Sequence, residues 1–105
     1  MAITINGTTG VAGVDGSAST PAVQGTDTNT GVSFGADTVN INTGGSERMR
    51  IDSSGNVGIG IDTINYPSGG GLTIYNATAP RLRLLNSSTG TGTHDGAEIS
   101  IDNTT

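Results

Sequence analysis

The sequence contains no cysteine, no tryptophan and a single phenylalanine. Without cysteine, neither a disulfide framework nor a thiolate metal site can form. Only 31% of the 105 residues are hydrophobic and 3% are aromatic. Burial of so few apolar side chains offsets only part of the cost of ordering the backbone, which is about 1–2 kcal/mol per residue. The composition therefore predicts a chain that shares its core with other chains, the alternative being partial disorder.

Charge is also scarce. Charged residues make up 12% of the chain, and the net charge is −5. Nucleic-acid binding through a basic patch is therefore not expected, and the composition is not that of a highly charged disordered segment. Residues 1–7 contain no basic cluster and no long apolar run. They predict neither a signal peptide nor membrane insertion, so we expect synthesis and assembly in the cytoplasm.

The sequence contains an internal repeat. Six residues recur after 33 positions (72 − 39 = 33): Val39, Ile41, Arg48, Met49, Arg50 and Ile51 return as Leu72, Ile74, Arg81, Leu82, Arg83 and Leu84. Repetition at a fixed period indicates one supersecondary unit stacked along an axis. We expect an elongated, repeat-built molecule.

Alternation of apolar and polar residues predicts that the repeated blocks are half-buried β-strands. Each unit contains a hairpin, and the first one turns through 52–56, with Gly55 where a positive φ is needed. Gly58 and Gly60 remove the side chains from one face of the returning strand, which predicts a close approach by another backbone. The second hairpin has a longer loop, 85–96, and its returning strand, 97–101, lies 40 positions after the first.

These patterns divide the chain into four parts: an arm at 1–30, a first β repeat at 31–61, a connector rich in glycine and proline at 62–71, and a second β repeat at 72–105. Most of the arm consists of Gly, Thr, Ser, Ala and Asp without helical periodicity. Either the arm is a flexible linker, or it is an extended segment that becomes ordered along a neighbouring subunit. The predicted fold is all-β, with an extended N-terminal arm.

The run from Gly45 to Gly60, GSERMRIDSSGNVGIG, resembles a repeat of tail fibre and other virion fibre proteins of tailed bacteriophages. In that family the run usually continues with Thr, whereas Ile61 follows here. The resemblance is clear over 31–61 and weaker to about residue 101. It implies an intertwined homotrimeric β-structured fibre located in the virion, at the tail, and made in the host cytoplasm. Such fibres often end in a self-cleaving chaperone domain, which nothing in this chain resembles.

No catalytic constellation is visible, and we predict no enzyme activity, no cofactor and no metal. His94 is the only histidine and stands in a glycine-rich loop without an orienting partner. The loop 52–56 lacks the alternating acidic positions and the distal glutamate of a calcium loop. Neither feature forms a catalytic or metal site by sequence criteria, although a receptor contact or a metal ligand remains an alternative for His94.

All four basic residues are arginines at matching positions of the two units: Arg48, Arg50, Arg81 and Arg83. One interpretation is a solvated strand face that discourages edge-to-edge aggregation. The other is that they form ion pairs with acids of neighbouring chains, such as Glu47, Asp52, Asp95 or Glu98, and fix the register between chains. The few aromatic residues, Phe34, Tyr66 and Tyr75, disfavour glycan binding in this segment.

The sequence thus leads to a structural hypothesis. Alternation predicts a shared trimer core of eight side chains: Met49, Ile51, Val57, Ile59, Leu82, Leu84, Ile99 and Ile101. The resemblance implies attachment by the N-terminal end to another virion protein of the tail or head, with Ile3, Ile5 and Val11 as candidate anchors. We expect the N-terminal part of a tail fibre that attaches and extends it. The alternative is a module that binds a host-surface glycan through the 85–96 loop, and later domains are a further possible source of such binding.

Overall fold

The computed structural model describes residues 4–8, 10–65, 70–88, 90–92 and 96–101. Within these ranges the chain forms ten strands and no helix, so the all-β prediction is confirmed; no helix there could cross a membrane. The strands are β1 (Thr4–Asn6), β2 (Gly10–Ala12), β3 (Val23–Gln24), β4 (Gly31–Gly35), β5 (Thr38–Thr43), β6 (Ser46–Ile51), β7 (Val57–Ile59), β8 (Leu72–Ile74), β9 (Arg81–Leu84) and β10 (Ala97–Ser100).

The strands form one six-stranded sheet and two separate hairpins. The sheet has the order β3-β4-β5-β6-β7-β8, while β1 pairs with β2 and β9 with β10. The chain divides into two units, Met1–Thr73 and Ile74–Thr105. The arm, the first predicted repeat and the connector therefore belong to one unit.

Tight turns join β4, β5 and β6. Gly44 and Gly45 have φ values of 58° and 77°, which two-residue hairpin turns of the primed type require. In the 52–56 loop, Gly55 has a φ of 83°, so the predicted positive φ is confirmed. These positions are where the absence of a Cβ matters.

The predicted arm is folded back on itself and is not extended throughout. Strands β1 and β2 form a hairpin, and Gly16 forms an isolated bridge with Pro21. Further along, β3 pairs with β4, and the amide of Phe34 donates to the carbonyl of Asp15 at 2.8 Å. The sequence did not reveal β2 or β3, because each contains a single large apolar residue, Val11 or Val23, so no alternation is visible.

Burial in this chain is inverted relative to an ordinary antiparallel sheet. Such a sheet commonly packs an apolar face on the core and solvates the other. Here no hydrophobic residue is buried in the described part of the chain, whereas Ser33, Asn42 and Asn56 retain only 2%, 1% and 4% of their exposure. The single chain therefore covers a polar face and leaves its apolar face open.

Candidate functional site

The open face of the sheet carries two rows of apolar side chains. Across β4–β7 the register aligns Val32, Ile41, Met49 and Ile59 in one row, and Phe34, Val39, Ile51 and Val57 in the other. We call these eight residues the apolar face. Ile51 retains 43% of its exposure and Ile59 retains 39%. Val23, 58% exposed, lies opposite Val32 and lengthens the first row.

The opposite face of the sheet is polar and hydrogen-bonded. Asn42 Nδ2 donates to Ser33 Oγ at 2.8 Å inside this face. Arg50 donates to both carboxylate oxygens of Glu47, from Nε at 2.6 Å and from Nη2 at 2.7 Å. This bidentate bond is the main cause that raises the pKa of Arg50. The charge of Arg50 is thus neutralised within its own strand.

A β-bulge makes that ion pair possible. Residues three positions apart in a regular strand point to opposite faces. The register changes between Ile41, opposite Met49, and Asn42, opposite Glu47, which leaves Arg48 without an opposite residue on β5. The bulge brings Glu47 to the face of Arg50, while Arg48 Nε donates to Thr43 Oγ1 at 2.9 Å.

The segment after β7 packs over the polar face at Gly58. A Cβ on Gly58 would lie 2.8 Å from the carbonyl oxygen of Ile61 and 2.8 Å from Cδ1 of Ile64. In addition, Arg50 Nη1 donates to the carbonyl of Asp62 at 3.0 Å. The predicted close backbone approach is confirmed at Gly58, and the approaching backbone belongs to the same chain.

The 52–56 loop uses its acidic side chain for its own structure. Asp52 Oδ1 accepts hydrogen bonds from the amides of Ser54 and Asn56, both at 2.9 Å, and Oδ2 accepts from Asn56 Nδ2 at 3.1 Å. The bond from the Asn56 backbone is the largest cause that lowers the pKa of Asp52. Asn56 Oδ1 also accepts from the amide of Gly71 at 2.9 Å. No group of three His, Cys, Asp or Glu side chains that could hold a metal occurs in the described ranges.

The β9–β10 hairpin, which is the second hairpin, also has one apolar face and one polar face. Leu82 lies opposite Ile99, and Leu84 lies opposite Ala97. Leu84 and Ile99 retain 65% and 72% of their exposure. On the other face, Glu98 lies within 3.2 Å of Arg81 and 3.4 Å of Arg83. The apolar face of this hairpin is also uncovered in the single chain.

Two of the three predicted anchors form a cross-strand pair. Ile5 lies opposite Val11 in the β1–β2 hairpin, and they are 75% and 72% exposed; Ile3 lies outside the described residues. Val11 also lines a cavity of about 440 Å³ together with Ala12, Gly13, Val14, Asp15, Ala22, Val23 and Phe34. Val11 therefore adjoins an apolar groove that reaches the apolar face at Phe34.

The structure brings the predicted core residues together in two groups. The first group lies on the apolar face and consists of Met49, Ile51, Val57 and Ile59. The second lies on one face of the β9–β10 hairpin and consists of Leu82, Leu84 and Ile99. Ile101 follows β10 and is 71% exposed. The other half of the apolar face was not predicted from the sequence: Val32, Phe34, Val39 and Ile41. Their own alternation was the signal that could have placed them there.

Three of the four arginines have acidic partners in their own chain, namely Arg50 with Glu47, and Arg81 and Arg83 with Glu98. Pairing between chains stays a prediction. In the 85–96 loop, Arg83 Nη2 donates to the carbonyl of Gly92. His94 and Asp95 lie outside the described residues, as does Tyr66.

Comparison with protein-family models, with curated proteins and with solved structures finds no match to this chain.

Proposed function

We propose that this chain is a structural component of a bacteriophage tail fibre, in which three copies share one apolar core. The proposal is supported by the pattern of burial, in which polar residues are buried and the apolar face is exposed. Eight apolar side chains from four strands lie on one open face, while no described hydrophobic residue is buried. A large exposed apolar patch is typical of an interaction surface.

The exposure of the apolar face supports association. Ile41, Ile51 and Ile59 retain 40%, 43% and 39% of their exposure, and contact between copies would remove this apolar surface from water. The number three comes from the resemblance of residues 45–60 to phage fibre repeats.

Attachment to the virion is the second part of the proposal. The Ile5–Val11 pair is exposed and belongs to a hairpin separate from the six-stranded sheet. A short apolar hairpin of this kind can dock on another virion protein while the sheet holds the copies together. The proposed role needs neither catalysis nor a cofactor.

Sedimentation equilibrium of the full chain over a range of concentrations tests the assembly. We expect a trimer with β-rich circular dichroism, and a folded monomer at every concentration would contradict the proposal. Particle incorporation of a fibre lacking residues 2–12 tests attachment separately. That deletion removes β1 and β2 but leaves β3 and the sheet, so wild-type occupancy would place the anchor elsewhere.

A further inference from the structure

Three polar side chains meet on the polar face of β4 and β5. Ser33 lies directly opposite Asn40 in the pairing of these strands, and opposed side chains of an antiparallel pair have Cβ atoms about 4.5–5.5 Å apart. Asn42 lies two positions further along β5 and therefore on the same face. It reaches diagonally to Ser33 through the 2.8 Å hydrogen bond from Nδ2 to Oγ. Ser33 is thus next to both asparagines.

This part of the polar face is closed to solvent. Ser33 and Asn42 retain only 2% and 1% of their exposure. Directly after β5, the amide of Gly44 donates to Thr30 Oγ1 at 3.1 Å, which holds the segment before β4 against the β5–β6 turn. Polar atoms buried here need hydrogen-bond partners inside the fold.

Two carboxamide oxygens in this place accept no hydrogen bond from the part of the chain that the structure describes. They are Asn40 Oδ1 and Asn42 Oδ1, and both are buried. A buried acceptor without a donor is costly, because folding removes it from water and puts nothing in its place. Ser33 Oγ already accepts from Asn42, and its own hydroxyl proton is available for a further bond. The site therefore offers two acceptors and one donor.

A partner for these groups must donate two hydrogen bonds and accept one, as a water molecule can. An anion would be repelled by the two carboxamide oxygens. A calcium ion takes about six to eight oxygen ligands, most often with carboxylates among them. Only three side-chain oxygens converge here, and none belongs to a carboxylate. The chemistry of the site therefore favours water.

The distances suit a single water. The oxygen and nitrogen of one carboxamide are about 2.3 Å apart. Asn42 Oδ1 therefore lies no more than about 5.1 Å (2.8 + 2.3) from Ser33 Oγ. A water bonded to both atoms at about 2.8 Å spans up to about 5.6 Å. Since Asn40 is directly opposite Ser33, its side chain is within reach of the same water.

We propose that one buried water molecule binds between Ser33, Asn40 and Asn42. It donates to Asn40 Oδ1 and Asn42 Oδ1 and accepts from the Ser33 hydroxyl group, which gives the three hydrogen bonds typical of a buried water. The water joins β4 to β5 through their side chains. A slip of one residue in β5 would move both asparagines to the apolar face, so the site favours the observed register. The inference does not depend on the proposed function, because all three residues belong to one chain.

A crystal structure of the full chain, at a resolution that shows ordered water, tests the site directly. We expect a density peak about 2.5–3.0 Å from Ser33 Oγ, Asn40 Oδ1 and Asn42 Oδ1. A site without a peak would overturn the proposal. So would a rotated Asn42 side chain that donates directly to Asn40 Oδ1, with no water between them. A peak with about six or more oxygen ligands at about 2.3–2.6 Å would be a calcium ion and would overturn it as well.

Urea unfolding at a fixed chain concentration tests the same network in solution. The side chains of Ser33 and Asn40 form no direct hydrogen bond with each other in the described structure, so a shared water would couple them. Ser33→Ala/Asn40→Ala should shift the urea midpoint by less than the sum of the two single shifts, because each single change already disrupts the water site. Ser53→Ala/Asn40→Ala is the matched control and should be additive, since Ser53 lies in an exposed loop. Additive shifts for Ser33 and Asn40 as well would contradict a shared water.

Discussion

Two hairpins, the first formed by β6 and β7 and the second by β9 and β10, neutralise equivalent arginines in different ways. In the first, Arg50 lies opposite Gly58 and takes its countercharge from Glu47 of its own strand. In the second, Arg83 lies opposite Glu98, which supplies the countercharge from across the hairpin. Pro80 stands in place of Glu47. The residue opposite the arginine therefore determines where its countercharge comes from in each hairpin.

The residue opposite the arginine also determines what packs on the polar face of each hairpin. Gly58 leaves room for Ile61 and Ile64 to pack over the sheet. Glu98 fills the corresponding space with a charged side chain that pairs with Arg81 and Arg83. The first hairpin belongs to a six-stranded sheet, whereas the second is a two-stranded unit in which Glu98 pairs with both arginines.

Replacement of Ile59 by Asp should have the largest effect. The carboxylate would be placed in the proposed shared core, where an unpaired charge costs several kcal/mol. We expect assembly to weaken at least 100-fold, with monomers in sedimentation equilibrium. Ile99→Asp should weaken assembly less, because it leaves the apolar face intact. Ser53→Asp, in an exposed loop, is the control; an Ile59→Asp trimer as stable as this control would refute the shared core.

Gly58→Ala should destabilise the first hairpin by about 1–3 kcal/mol, because the new methyl group overlaps Ile61 and Ile64. Urea unfolding at fixed chain concentration measures the change. Gly25→Ala is the matched control, since nothing lies within 4 Å of a Cβ there. If the two variants unfold at the same urea concentration, the connector does not pack on Gly58 in solution.

Removal of each countercharge compares the two ion-pair arrangements directly. Glu47→Gln should cost about 1 kcal/mol, because the bond to Arg50 is bidentate and both side chains are about three-quarters buried. Glu98→Gln should cost about 0.2–1 kcal/mol, because Arg81 is 44% exposed. Added salt should reduce the second effect more than the first. Equal costs at low and high salt would show that the two pairs are energetically alike.

Acid should weaken the first hairpin through Asp52, which has the smallest expected effect. The folded chain lowers the pKa of Asp52 from its usual 3.8 through hydrogen bonds from Asn56 and Ser54. The unfolded chain therefore binds the proton more readily, so the stabilisation is complete above pH 3.8 and is lost as pH falls through the lowered pKa. Asp52→Asn should be less stable than the natural chain at pH 7, and the difference should vanish in strong acid. A constant difference at all pH values would contradict this role.

Local patterns predicted much of the fold. Alternation located the strands of the two repeats, β4–β10, and the glycine at position 55 marked a positive φ that the structure contains. Strands β2 and β3 were missed because each contains only one large apolar residue, so no alternation appears. The β-bulge at Arg48 was missed as well, because the alternation of Arg48–Ile51 is unbroken and the change of register lies in the pairing with β5.

The sequence by itself determined the strands of the two repeats, the turn at Gly55 and the shortage of apolar residues, because these depend on residue type and spacing alone. Only the tertiary structure decided which face each strand presents to its own chain. It placed Ser33 and Asn42 inside, left Ile51 and Ile59 open, and filled the space above Gly58 with residues of the same chain. Those outcomes depend on strand order and register, which bring together residues far apart in the chain, and no local pattern contains that information.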